Sequence, residues 1–151
     1  MTKFGVGFSD LSNSFEAGKS AALQALLHVG VESYAINLCL LFCTSRHEAE
    51  EFFMGVKSEL GSCKYVGGFA NGTITNNSFG YDGYQCAVAI MTSTTVNTHY
   101  FVQEGIAFNE YETGKKLFEQ FAETSFETDP QVLLFFDAVN REKGRFQMNY
   151  G

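Results

Sequence analysis

One stretch of the sequence determines the fold: Lys64-Tyr65-Val66-Gly67-Gly68-Phe69-Ala70-Asn71-Gly72-Thr73-Ile74. In this stretch an apolar run, typical of a buried strand, leads into a glycine-rich turn. Three glycines within six residues indicate backbone angles that side chains forbid, or a close approach to the main chain. Before this stretch, the chain alternates between strand-like and helix-like patterns. The stretch therefore predicts an α/β domain with a crevice beside the turn.

Two strand and helix pairs are predicted before the turn. A strand at residues 3–9 precedes a helix at 15–28, whose inner face carries small residues that allow close packing on a sheet. Residues 34–43 are almost continuously apolar, which is typical of a central strand covered by helices on both faces. Ser45 to Glu48 has the pattern of a capping box, and a second helix follows at 49–60.

A third strand at residues 64–69 completes the order β-α-β-α-β, and right-handed crossovers make these three strands parallel. Further strands are predicted at 84–91 and 97–103, and the short link between them is typical of a hairpin. A sixth strand is predicted at 131–136. The predicted fold class is therefore α/β, with a mixed, mostly parallel β-sheet flanked by helices.

A third helix is predicted to begin after a cap at Asn109. Its inner face is predicted to carry Tyr111, Leu117, Phe118 and Phe121. With 151 residues, 45% of them hydrophobic, the chain suffices for one domain with its own core.

Charge and hydropathy exclude several classes of partner. A net charge of -7 repels phosphate backbones, so no nucleic-acid partner is expected. The first residues lack a basic run followed by an apolar stretch, and no apolar segment approaches the roughly 18 residues of a membrane-spanning helix. We therefore expect a cytoplasmic protein without a membrane partner.

The four cysteines, Cys39, Cys43, Cys63 and Cys86, lie in or beside apolar runs and form no C-x-x-C pair. They are predicted to be small core residues in a reducing compartment. A metal or redox site is the alternative.

Polar residues and glycines collect where the predicted strands end. In open α/β sheets, ligands bind outside the carboxyl ends of the parallel strands. A small zwitterion would suit this place, because backbone N–H groups at a helix start favour its carboxylate and Asp10 favours its ammonium. The alternative for any one residue is turn chemistry or capping. The candidate ligand-binding residues are Ser9, Asp10, Thr44, Ser45, Gly67, Gly68, Asn71, Gly72 and Thr73, and Asp137 ends the sixth strand.

Other chemistries have weaker support. The run from His47 to Glu51 lacks the second histidine of H-E-x-x-H and is predicted to be an acidic, solvated first turn of a helix. No G-x-S-x-G motif and no P-loop lysine occurs, so no enzyme activity is predicted. His28 or His99 would be the axial ligand if the chain bound haem.

Seven short motifs follow one another in an order that is similar to a known family. They are Gly5-Val6-Gly7-Phe8-Ser9, Glu16-Ala17-Gly18, Leu41-Phe42-Cys43-Thr44, Gly55-Val56, Val66-Gly67-Gly68, Gly72-Thr73-Ile74 and Ala87-Val88-Ala89-Ile90-Met91. Their order and spacing resemble the amino-terminal FIST sensory domain. The resemblance runs over residues 3–91 in detail and more weakly to Asp137.

The resemblance implies an intracellular input module for signal transduction that binds small ligands such as amino acids. It also implies a companion carboxyl-terminal domain, which these 151 residues do not include, so the chain is expected to be a single, truncated FIST domain. Because some members are haem-based nitric oxide sensors, a haem sensor is one alternative. A partner-binding fragment without a ligand is another. No cofactor is predicted, and 16 phenylalanines favour self-association or packing against a companion domain.

Overall fold

The chain begins with β1 (Lys3–Ser9), α1 (Ser14–Val29), β2 (Leu38–Cys43) and α2 (Ala49–Leu60). These are followed by β3 (Lys64–Phe69), two short strands, β4 (Thr73–Ile74) and β5 (Phe79–Gly80), then β6 (Cys86–Thr92) and α3 (Glu110–Ala122). The structure is a computed structural model that describes residues 1–30 and 36–136. It divides the chain into two compact units, residues 1–98 and residues 99–151.

The main sheet has the strand order β1-β6-β2-β3. Because β6 is antiparallel to both β1 and β2, and β2 is parallel to β3, the strands β1, β2 and β3 all run in one direction. The predicted α/β class, with a mixed sheet and the order β-α-β-α-β, is confirmed. The insertion of an antiparallel strand between β1 and β2 was not predicted.

Two predicted strands are wrong. Residues 97–103 and 131–136 form no strand, although both are rich in residues that favour strands. The predicted hairpin cannot form on β6, because β6 already pairs with β1 on one side and with β2 on the other. Residues 31–35 of the chain, and Asp137 at the predicted end of the sixth strand, lie outside the described residues.

The interior position predicted for the second strand is confirmed, since β2 lies between β6 and β3. Only alternate side chains of β2 are buried, however: Cys39, Leu41 and Cys43 are buried, and the residues between them are half-buried. The strand therefore has one well-packed face, rather than two.

Helix α1 packs on β1 so closely that the backbones of the two elements are in van der Waals contact. A Cβ placed on Gly5 would lie 2.1 Å from the carbonyl oxygen of Ala25, and one placed on Gly7 would lie 1.9 Å from that of Ala21. No side chain fits at either glycine unless the helix moves away. The small residues of α1 and the glycines of β1 thus fix the distance between helix and sheet.

The outer edge of β1 is covered by side chains of α1. The amide of Gln24 donates from Nε2 to the carbonyl oxygen of Phe8 at 2.8 Å and accepts at Oε1 from the N–H of the same residue at 3.4 Å. Nδ1 of His28 accepts from the N–H of Val6 at 3.2 Å. These contacts occupy backbone groups that would otherwise be open to another strand.

The second unit contains α3, and Asn109 caps this helix as predicted, since its Oδ1 accepts from the N–H of Glu112 at 3.0 Å. The predicted inner face is wrong in part, because no residue of α3 is buried and both Tyr111 and Phe118 are exposed. Phe121 is half-buried and packs against Phe126, with 5.0 Å between ring centroids. Among the helices that the structure describes, none is long and apolar enough to cross a membrane.

Candidate functional site

The carboxyl ends of β1, β2 and β3 lie at one edge of the main sheet. Across this edge, Ser9 is opposite Cys86, Cys86 is opposite Cys43, and Cys43 is opposite Phe69. Neighbouring strands are about 4.8 Å apart, so the end of β1 is about 10 Å from the end of β2 and about 15 Å from the end of β3. The candidate residues therefore share an edge without sharing one small site.

The loop that leads into β6, residues 83–85, is fixed by the segment that follows β2. Its three successive carbonyl oxygens each accept a hydrogen bond. The Thr44 hydroxyl donates to Gly83 at 2.5 Å, Nε2 of His47 donates to Tyr84 at 2.8 Å, and the N–H of Thr44 donates to Gln85 at 3.0 Å. The 83–85 loop is thus held in one conformation from its main chain, which leaves the side chain of Gln85 in a defined place.

His47 is buried, with 3% of its surface exposed, so the prediction that it belongs to a solvated turn is wrong. Because a carbonyl oxygen can only accept, Nε2 of His47 donates to Tyr84, and Nδ1 lies 3.2 Å from the Ser14 hydroxyl. The ring stacks on Phe52 with 5.8 Å between centroids and meets Tyr84 edge-on at 5.5 Å. Both nitrogens therefore have partners, and the ring holds a structural position.

The predicted capping box is also wrong. Helix α2 has Glu48 at its N-cap without a side-chain capping bond, and Ser45 is exposed. Instead, the hydroxyl of Ser14 accepts from the N–H of Glu48 at 3.0 Å. The first turn of α2 is thus capped by a residue of α1, which explains why a local motif did not reveal it.

The predicted site residues differ in their surroundings. Ser9, Thr44 and Thr73 are buried, and the Ser9 hydroxyl accepts from the N–H of Leu11 at 3.3 Å. Gly72 is half-buried, because a Cβ there would lie 2.5 Å from the carbonyl oxygen of Gly80. The exposed residues are Asp10, Ser45, Gly67, Gly68 and Asn71.

Gly67 and Gly68 lie within β3, whose bounds are those predicted for the third strand. A Cβ on Gly67 would lie 1.7 Å from the carbonyl oxygen of Leu41, so this glycine allows β3 to approach β2. Gly68 has open space around it. Since β3 is an exposed edge strand, the prediction of a buried strand here is wrong.

A small hairpin formed by β4 and β5 packs against Gln85. Thr73 pairs with Gly80, and a Cβ on Gly80 would lie 2.6 Å from Cγ of Gln85. A Cβ on Gly83 would lie 2.5 Å from Nε2 of the same side chain. Two oxygen atoms in this region, Thr73 Oγ1 and Gln85 Oε1, are buried and have no hydrogen-bond partner in the part of the chain that the structure describes.

Sequence reasoning missed Gln85 and His47. Gln85 precedes a strand that runs antiparallel to the others, so the amino end of β6 lies at the same edge as the carboxyl ends of β1 and β2. A search restricted to strand ends cannot include it. The one available signal was a lone amide directly before an apolar strand.

The cysteines below this edge are neutral thiols. Burial raises the pKa of Cys43 to about 11. Burial, with a smaller contribution from Cys43, raises the pKa of Cys86 to about 12. Cys39 is also buried, and burial raises its pKa further still. These three residues are core residues as predicted, and within residues 1–30 and 36–136 no group of three or more His, Cys, Asp or Glu side chains is placed to hold a metal ion.

The two histidines considered for haem have separate surroundings. His28 is exposed near the end of α1 and contacts the backbone of Val6. His99 belongs to the second unit, where its ring meets Phe126 edge-on at 5.6 Å. A shallow groove beside the start of α2 is lined by Glu48, Glu50 and Glu51, whose charges disfavour an anionic ligand.

The FIST N domain family model matches residues 37–146. The match spans most of the chain, and the protein therefore belongs to the FIST N domain family. FIST domains are a family of sensory domains, so membership is consistent with a role in signal transduction. The motifs of β1 and α1 that also resemble the family lie ahead of the matched residues.

Solved structures show only distant similarity. An FtsZ-like protein of unknown function from Nostoc punctiforme is 17% identical with a TM-score of 0.34, over 61% of this chain and 90% of that chain. An FtsZ dimer from M. jannaschii is 13% identical with a TM-score of 0.34, over 68% of this chain and 34% of that chain. Similarities this weak have no bearing on function. A comparison with curated protein sequences gives no significant match.

Proposed function

We propose that this FIST domain is a cytoplasmic sensor that binds a small, amino-acid-like molecule without transforming it. The observation that carries the proposal is the pair of buried oxygens, Thr73 Oγ1 and Gln85 Oε1, for which residues 1–30 and 36–136 supply no hydrogen-bond partner. Buried polar atoms in proteins nearly always have hydrogen-bond partners. A ligand that supplies hydrogen-bond partners for these two oxygens would complete this part of the structure.

The geometry favours one part of the edge. In an α-amino acid, the ammonium and carboxylate groups are attached to the same carbon atom, so they cannot bridge the three strand spacings between β1 and β3. We therefore propose that the ligand lies over Thr44, Thr73 and Gln85. Asp10 follows Ser9, which is opposite Cys86, so its carboxylate is close enough to this place to pair with the ligand's ammonium group.

In this proposal, ligand binding changes the rest of the domain through the residues that bond to the 83–85 loop. Thr44 and His47 bond to this loop, and Ser14 bonds both to His47 and to the N–H of Glu48. A ligand that shifts the loop therefore acts on the starts of α1 and α2. A companion domain or a second copy of the chain then contacts α1 and α2 and responds to the change in their position.

A partner surface is a second candidate function, and one observation favours it. Four large apolar side chains around the hairpin and the end of β3 are exposed: Phe69, Ile74, Phe79 and Tyr81. Ile74 and Phe79 are register partners in the hairpin, so they lie next to each other. Exposed apolar groups of this kind are typical of a protein interaction site.

Calorimetry with the twenty amino acids tests the sensor. At least one should bind to the wild-type chain, and Thr73→Val, which removes the hydroxyl at constant shape, should weaken that binding about fivefold. Asp10→Asn should weaken the binding by about tenfold, because it removes the charge that pairs with the ligand's ammonium group. A wild-type chain that binds none of the twenty would contradict the proposal and leave the partner surface as the better candidate.

A further inference from the structure

We infer that the outer edge of β3 binds a second copy of this chain, and that the two β3 strands pair antiparallel around a two-fold axis at Gly67. This partner and this surface go beyond the sensor function proposed above, and neither depends on a ligand. Three features of β3 support the pairing: the direction of its backbone groups, the side chains along its edge, and the charges near its two ends.

Every second residue of β3 directs its backbone groups away from the sheet. The N–H of Ala70 donates to the carbonyl oxygen of Cys43 at 2.8 Å, so the backbone groups of the even-numbered residues face β2. Because successive backbone groups of a strand point in opposite directions, those of Tyr65, Gly67 and Phe69 point outward. Within residues 1–30 and 36–136, β2 is the one strand that pairs with β3. The outward N–H and carbonyl groups are therefore placed to pair with a further strand.

The two outer strands of the main sheet differ in the protection of their edges. At β1, the side chains of Gln24 and His28 bond to backbone groups. From residue 65 to residue 69, β3 carries no charge and no proline, which are features that natural edge strands use against pairing. Gly67 and Gly68 are exposed, so a second backbone can approach closely. The edge of β3 is therefore suited to pairing, whereas that of β1 is not.

A two-fold axis at Gly67 makes the two β3 strands complementary. It places Gly67 opposite its own copy and Tyr65 opposite Phe69 of the second copy, so that outward donors meet outward acceptors. Tyr65 and Phe69 then form an aromatic cross-strand pair, which occurs twice by symmetry and is a stabilising kind of pair. The Tyr65 ring already meets Phe53 edge-on at 5.1 Å, and Phe69 is 60% exposed. The dimer would cover this exposed ring.

The charges near the ends of β3 fit the same arrangement. Gly72 follows β3 and packs against Tyr81, since a Cβ on Gly72 would lie 2.8 Å from Cδ1 of Tyr81. Asp82 is the next residue along the chain and is exposed. Antiparallel pairing brings Lys64, at the start of one β3, to the end of the other and so toward Asp82. In the single chain Lys64 donates to the carbonyl oxygen of Thr98, an exposed bond that a carboxylate can replace.

Sedimentation equilibrium of the full chain tests the pairing. Every sample carries Leu133→Lys, because the exposed apolar residues 131–136 offer a separate route to association. We expect a dimer at high micromolar concentration, since one pair of strands makes a small and therefore weak interface. Phe69→Pro removes an N–H that faces away from β2, so it should weaken the dimer about tenfold or more and keep the fold. Ile74→Lys is the matched control, because Ile74 is exposed on the hairpin outside β3, and it should leave the dimer unchanged.

Two charge variants test the two-fold register without a proline. Lys64→Glu and Asp82→Lys should each weaken the dimer about threefold, because each places like charges together at both ends of the pair. The double variant should regain the original affinity, since it reverses the charges and keeps their attraction.

Amide hydrogen exchange identifies the groups that pair. The N–H groups of Tyr65, Gly67 and Phe69 should become protected as the concentration rises. That of Gly68, which faces β2, should be protected at every concentration. A contact between side chains alone does not produce this alternation.

A chain that stays strictly monomeric at high micromolar concentration would overturn the inference. A dimer that Ile74→Lys dissociates and Phe69→Pro leaves intact would also overturn it, since the contact would then be the exposed apolar surface of the hairpin. A double charge variant that is no tighter than the single variants would overturn the two-fold register. If Phe69→Pro does not fold, the charge variants and the exchange pattern still test the pairing. A dimer with the expected pattern in a chain that binds no amino acid would support the pairing and refute the sensor.

Discussion

Gly18 of α1 and Gly55 of α2 lie where the two helices cross, and each faces the backbone of the other helix. A Cβ on Gly18 would lie 2.2 Å from the carbonyl oxygen of Phe52, and a Cβ on Gly55 would lie 2.0 Å from that of Phe15. The helices are therefore in backbone contact at this crossing. The starts of the same helices are joined through Ser14, so their separation also bears on the candidate site.

We expect Gly18→Ala and Gly55→Ala each to lower the free energy of unfolding by about 1 to 3 kcal/mol, because the added methyl group forces the helices apart. Gly114→Ala in α3 is the control, since nothing lies within 4 Å of its Cβ position. There the better helix propensity of alanine should stabilise α3 by up to about 1 kcal/mol. Urea denaturation measures the free energy of unfolding of all three variants. A Gly18→Ala variant as stable as the wild type would show that the helices can separate freely.

His47→Ala should lower the free energy of unfolding by about 2 kcal/mol or more. The change leaves the carbonyl oxygen of Tyr84 without this donor and opens a void beside the buried Phe52. His99→Ala, at an exposed position, is the control and should cost less than about 0.5 kcal/mol. NMR of the imidazole nitrogens in the wild type should show the proton on Nε2. A proton on Nδ1 instead would refute the assigned bond to Tyr84.

The thiols predict a loss of stability in alkaline solution. Burial raises the pKa of Cys43 from 9.0 to about 11 in the folded chain, so between these values the unfolded chain releases a proton that the folded chain keeps. The unfolded state then binds fewer protons, and the free energy of unfolding falls as the pH rises. Below pH 9.0 the ionisation of this thiol does not lower the free energy of unfolding. Above that pH, the free energy of unfolding falls by at most about 1.4 kcal/mol per pH unit for each such thiol.

Denaturation at a series of pH values from 8 to 11 checks this, with Cys43→Ala as the matched variant. The variant should be less stable overall and show a shallower fall above pH 9.0. Equal slopes for the variant and the wild type would show that Cys43 ionises alike in the folded and unfolded chains.

We expect the chain to self-associate through residues 131–136. Val132, Leu133 and Leu134 are 68%, 67% and 61% exposed, and the segment carries no charge and no proline. Short apolar segments of this kind tend to pair as strands between molecules. In sedimentation experiments, Leu133→Lys should reduce association, whereas Leu27→Lys, at a leucine of α1 that is 81% exposed, should not. A strictly monomeric wild type at high micromolar concentration would count against this.

Local patterns in the sequence were sufficient for the order of elements from β1 to β3. The helices follow from periodic apolar residues and from caps such as Asn13, whose Oδ1 accepts from the N–H of Glu16 at 2.9 Å. The place of β6 was not predictable in this way, because its pairing with β1 joins Lys3 to Thr92 across most of the first unit. No local pattern specifies a partner so distant along the chain.

The candidate site was predictable only in outline. The rule for strand ends identified Thr44, directly after β2, and Thr73, in the hairpin, and both are buried. It missed His47, whose contacts with Ser14 and Tyr84 span 33 and 37 residues. It also could not show that Asp10 and Gly68 are separated by other strands, since strand order depends on pairing rather than on position in the sequence.

The side-chain amide of Gln24 blocks strand pairing at the β1 edge of the main sheet. By bonding to both backbone groups of Phe8, it takes the place of a neighbouring strand, so among the described residues the edge at β3 is the one left for pairing. Two copies that meet through β3 around a two-fold axis would each use their available edge, and a third copy would find none. Edge pairing of this kind would end at a closed dimer, because Gln24 and His28 occupy the backbone groups at the opposite edge.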